Sequence, residues 1–129
     1  MAWGVVWGGL QAASPLAFFW LDASTVYALG LALIAAVYIG FAVADGRAKA
    51  IAVETCVASA FVVVAAMAVT GPAWLIVAGL AAHGGKDLWQ QHSGFVANTR
   101  WWPPFCAAVD FVAAAIVAVL IVAGFSFGG

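Results

Sequence analysis

An all-α, polytopic membrane helix bundle is what this chain encodes, on three grounds. Of its 129 residues, 67% are hydrophobic and only 7% are charged, against roughly 25% charged in a soluble domain. The apolar residues fall in long runs, close to the roughly 20 that a helix needs to cross a hydrocarbon core about 30 Å thick. The few charges gather at two places instead of striping the helices. The same composition excludes a nucleic-acid binder, since four Lys+Arg against five Asp+Glu leave no basic face. It also excludes a disordered chain, which needs polarity. One membrane domain over 1–129 follows, with transmembrane helices at about 25–44, 51–69, 73–90 and 105–125 behind an N-terminal hydrophobic segment, 1–23.

Trp3 to Leu21 is apolar but holds Gln11, Ser14 and Pro15. It suits an interfacial, re-entrant or kinked fifth-span segment, and the interfacial or partly inserted form is preferred. No Lys or Arg precedes it, which argues against a cleaved signal peptide. Gly4 and Gly8 form a GxxxG pair. Thr25 to Ala44 carries no charge; Asp22 or Ser24 can cap its start, and Asp45-Gly46 ends it. Ile51 to Val69 is interrupted only by Glu54. Thr70-Gly71-Pro72 then turns the chain, with Pro72 suited to the first helical position of the third span. That span is short and polar at its far end. Trp101-Trp102-Pro103-Pro104 breaks the chain before the fourth and anchors it at the interface.

Arg47 and Lys49 lie between the first two spans, and Lys86 and Arg100 flank the connection between the last two. Positive residues favour the cytoplasmic side, so both charged loops are expected in the cytoplasm, in a multi-pass protein of the cytoplasmic membrane. Glu54 then lies about 7 Å into the second span, Asp110 about 9 Å into the fourth and His83 about 10 Å from the end of the third. Three polar groups on three helices reach a similar depth. A charge facing lipid there costs about 2.5–3.5 kcal/mol, so Glu54 and Asp110 are expected to face inward.

Spacing sharpens the cluster. His83 and Asp87 are i,i+4, as are Cys106 and Asp110, so each pair shares a helix face. Asp45 and Arg47 close the first span at the same end. One reading is structural and interactive: Arg47, Lys86 and Arg100 pair with Glu54, Asp87 and Asp110, and polar groups hold Ala/Gly-rich helices together. An alternative is a metalloprotein, with a hydrolase among its forms. His83, Asp87 and Asp110 would bind zinc or iron, with Cys106 or His92 as extra donors and Glu54 as base or further ligand. A second alternative is a proton-coupled transporter using Glu54 or Asp110; small multidrug transporters, however, carry their glutamate in the first span, which here has no charge.

Cys56 and Cys106 sit toward the reducing side, which disfavours a disulfide, and Cys56 points roughly 200° away from Glu54. Trp89, Trp101 and Trp102 fall where membrane belts place them. Small residues at four-residue spacing (Gly40/Ala44, Ala48/Ala52, Ala78/Ala82, Ala114/Ala118) suit close helix approach and a homodimer in the lipid bilayer.

The stretch from His83 to Asp110 resembles small uncharacterised bacterial four-span membrane proteins. They share a His-x3-Asp near one helix end, a Pro-rich turn, then Cys-Ala-x2-Asp entering the last span. The matching positions here are His83, Asp87, Pro104, Phe105, Cys106, Ala107 and Asp110, and Tyr38 to Glu54 extends the likeness. Some of those proteins carry a second histidine nearer the Asp, where this chain has Gln90 and Gln91 and then His92. The resemblance implies a fold and a site location, not a reaction.

Overall fold

The computed structural model describes residues 2–128, and all regular structure in them is helical. The helices are α1 (Ala2–Ala13), α2 (Ala23–Asp45), α3 (Ala48–Thr70), α4 (Trp74–Ser93) and α5 (Trp102–Val122), with a 3₁₀ turn at Ser14–Leu16. Successive long helices alternate in direction. The most extensive packing joins α2 to α3, α4 to α5 and α1 to α5.

Helix ends follow local chemistry, with some departures from expectation. Gly46, at φ +84°, stops α2 after Asp45 and returns its N–H to the Ala42 carbonyl, a backbone position that costs a side-chain-bearing residue. Neither expected cap of α2 forms: Asp22 occupies the N-cap position without a side-chain bond, while the Ser24 Oγ and N–H both donate to the Phe127 carbonyl, 2.7 and 2.8 Å away. Ser24 therefore anchors the C-terminal tail. Pro72 stands two residues ahead of α4 instead of in its first position, its carbonyl accepting the Leu75 N–H at 3.0 Å. Pro103 and Pro104 do not break α5 but lie in its first turn, where the missing N–H groups have no intrahelical partner to lose.

Among the described residues, three helices are long and apolar enough to cross a membrane: Ala23–Asp45, Ala48–Thr70 and Trp102–Val122. The expected span at 73–90 is present as the 20-residue helix α4. His83, Lys86, Asp87 and the Gln90-Gln91-His92 run make it too polar to join that set.

The N-terminal segment lies lengthwise on the bundle. Gly4 packs on Phe105 and Ala108, and Gly8 on Val109 and Val112, so α1 runs parallel to α5. A Cβ on Gly8 would stand 2.8 Å from the Val112 Cβ, so the GxxxG pair makes a real close approach. At 12 residues α1 is about 18 Å long, too short to cross alone. Beyond it, the Tyr27 hydroxyl donates to the Ala12 carbonyl.

Polarity is inverted relative to a soluble protein. Leu33, Val63, Trp7, Phe19, Val119 and Val122 face outward, whereas Glu54, His83, Asp87, Gln90 and Asp110 are buried. The inward stripe of α2 is Tyr27, Leu31, Ala35, Tyr38 and Ala42, a helical period that turns its two tyrosines into the core. Of the small-residue pairs, Gly40/Ala44, Ala48/Ala52 and Ala78/Ala82 are exposed, so they do not make the internal contacts; Ala114 is buried and Ala118 half-buried.

Candidate metal centre

The hairpin of α4 and α5 places His83 and Asp87 against Cys106 and Asp110. All four are at most 2% exposed, and one ligand atom from each lies within 4.8 Å of the others. His83 Nδ1 is 2.7 Å from Asp110 Oδ2 and 3.5 Å from Asp87 Oδ2. At these distances the ring nitrogen is bonded to Asp110, and Asp87 lies beyond ordinary hydrogen-bond length. Asp87 Oδ2 and Asp110 Oδ1 have no hydrogen-bond partner, and the Cys106 thiol approaches Asp110 Oδ2 at 3.8 Å. The Phe61 ring closes one side, T-shaped to His83 with the centroids 4.9 Å apart.

A second polar layer touches the first. Lys86 Nζ donates to Glu54 Oε2 at 2.6 Å and sits 3.3 Å from the centroid of the Tyr38 ring. The Tyr38 hydroxyl donates to Asp87 Oδ1 at 2.7 Å, and Glu54 Oε1 is buried without a partner. Side chains from α2, α3, α4 and α5 thus form one connected network. Three buried carboxylates against one ammonium leave two negative formal charges when His83 is neutral. Burial without compensation is costly, so two protons or one divalent cation must balance them.

The donors fit a transition metal. Imidazole nitrogen, thiol sulfur and carboxylate oxygen are the atoms that zinc and iron take. The 4.8 Å outer separation exceeds the about 3.5 Å edge of a tetrahedral zinc site, so binding would require the donors to draw together.

Of the residues singled out from sequence, His83, Asp87, Cys106 and Asp110 come together. Glu54 is adjacent to them but is bonded to Lys86 and lies outside the four-donor group. His92 is exposed at the end of α4. Arg47 does not reach the carboxylates of the centre. It pairs with Asp45 at 2.7 Å and donates to the Phe95 carbonyl, and its hydrogen bond to Asp45 holds the guanidinium above its ordinary pKa. Arg100 is exposed and forms no ion pair among the described residues. Cys56 is exposed and apart from the centre. Tyr38 and Gln90 had no assigned role from sequence. A tyrosine inside a charge-free apolar run was the available signal, because a hydroxyl there must find an internal partner.

Comparison with protein-family models, curated proteins and solved structures yields no match.

Proposed function

We propose that this chain is a small integral membrane protein of the cytoplasmic membrane whose His83, Asp87, Cys106 and Asp110 bind one divalent transition-metal ion, zinc or iron. The observation that carries the reading is the pair of partnerless buried oxygens, Asp87 Oδ2 and Asp110 Oδ1, beside a histidine and a thiol. Protein interiors rarely leave such atoms unpaired, and a cation would satisfy both. Four protein donors in a closed site favour an ion that is held over one that activates water, since catalytic zinc keeps a position open. In the bilayer α4 is the third of four crossings: it must return the chain from the end of α3 to the start of α5, and its polar residues His83, Asp87 and Gln90 face inward. The charged end, with Arg47, Lys49 and Arg100, faces the cytoplasm.

The test is metal content of detergent-purified protein by elemental analysis. Near-stoichiometric zinc or iron in wild type, lost in both His83→Ala and Asp110→Asn, is the expected result. Wild type without metal after growth and purification in zinc- or iron-supplemented medium would overturn the reading. It would leave the network as interhelical glue, a role its ties among four helices would support.

A further inference from the structure

The charged end of the bundle is closed by a plug. After Gly94 the chain leaves α4, and Val96 turns down between α2 and α3, 1% exposed, onto Ala42 and Ala50. Gln90 brackets this residue with both ends of its amide: Nε2 donates to the Val96 carbonyl at 2.6 Å, and Oε1 accepts the Val96 N–H at 3.3 Å. The next N–H, of Ala97, donates to Asp45 Oδ2 at 2.9 Å. Arg47 bridges Asp45 and the Phe95 carbonyl. Three side chains from two helices and an interhelical link thereby fasten a stretch with no regular structure of its own.

Beneath the plug the polar layers follow in order. Tyr38, Glu54 and Lys86 each lie four residues from a plug contact (Ala42, Ala50 and Gln90), one helical turn deeper on the same faces. The metal centre adjoins this layer directly, through the 2.7 Å bond from the Tyr38 hydroxyl to Asp87 Oδ1. From the opposite end an ion would have to pass Leu31, Ile76, Leu80 and Val117, each at most 1% exposed. A lateral route would take it through hydrocarbon. The plug, unlike the helices around it, has no regular structure. One of its ties is open to solvent: the Arg47 side chain is 57% exposed, though that of Asp45 is 5%, so water and salt reach the Arg47 side of the pair.

We propose that residues 94–99 are a lid, latched by Asp45, Arg47 and Gln90, whose opening admits a divalent cation to the buried centre. Glu54 Oε1 is the first unpartnered oxygen beneath the lid and hands the ion inward. The ion's identity rests on the metal reading above; the lid itself does not.

The test uses Cys106 as a reporter in a Cys56→Ser background, which leaves one thiol. Metal-free protein is treated with a small membrane-impermeant cationic thiosulfonate, and labelling is timed for the parent, Arg47→Gln and Val96→Gly. A lid predicts at least tenfold faster labelling in both variants with unchanged helical circular dichroism. Rates within twofold of the parent in both, or acceleration only in step with lost helicity, would overturn it. In parallel, metal-loaded protein is challenged with EDTA. Stoichiometric metal released at one rate by all three proteins would refute the lid and keep the metal reading. Gated labelling in a protein that takes up no metal would do the reverse.

Discussion

Replacing Tyr38 by Phe removes one hydroxyl and leaves the ring beneath Lys86 in place. The lost bond is the 2.7 Å donation to Asp87 Oδ1, which holds that carboxylate so that Oδ2 turns toward His83 Nδ1, 3.5 Å away. Partners of this kind orient metal ligands, and removing one typically lowers metal affinity 10–100-fold, or about 1.4–2.8 kcal/mol. The effect on folding should be smaller, since interhelical side-chain bonds in membranes average about 0.6 kcal/mol. Affinity is therefore the sensitive readout. Zinc competition with a chromogenic chelator should show at least a tenfold loss in Tyr38→Phe. Tyr27→Phe is the control, because its hydroxyl bonds the Ala12 carbonyl instead of a carboxylate; its zinc affinity should match wild type. Equal affinities in the two variants would refute the positioning role of Tyr38.

Two further outcomes follow from the same geometry. Gly8→Val should wedge α1 off α5, because the new Cβ meets the Val109 carbonyl at 2.9 Å and the Val112 Cβ at 2.8 Å; a cost of about 1–3 kcal/mol should appear as a lowered Tm and faster proteolysis near Ser14, and an unchanged Tm would contradict it. Asp87→Asn/Asp110→Asn should bind no metal yet, compared in chelator, be more stable than wild type by roughly 1–3 kcal/mol, since it no longer buries uncompensated charge; a loss of stability in that comparison would favour interhelical glue.

The long helices were legible because apolar runs and a few Gly and Asp residues suffice to place them. α2 ends at the expected Asp45-Gly46 step. The convergence of His83, Asp87 and Asp110 was legible too, from equal depth and i,i+4 spacing. What the chain did not reveal was pairing between elements. Arg47 lies at the same end of the bundle as the centre, yet Asp45 two residues away captures it; a shared end alone did not rank that local competitor against the buried carboxylates. Pro103-Pro104 read as a break because proline disrupts helix interiors, whereas a first turn accepts it. The loop 94–99 carries few signals of its own, so its burial under Gln90 and Asp45 could emerge only from three-dimensional contacts.

The distribution of polarity among the helices bears on why the centre sits where it does. α4 is the least apolar of the four long helices and is flanked by α3 and α5, both apolar enough to face lipid. Its buried residues His83, Asp87 and Gln90 fall on one face, while Trp74, Leu88 and Trp89 are exposed. If the only requirement were to hold helices together, alanine and glycine contacts like those of Gly4 and Gly8 would serve without desolvating charge. Keeping four ionisable groups of two helices within 4.8 Å of one another, with two carboxylate oxygens unmet, costs stability that a neutral interface would not. A divalent cation held by these four donors would offset two negative charges at once, which is the balance the proposed metal reading supplies.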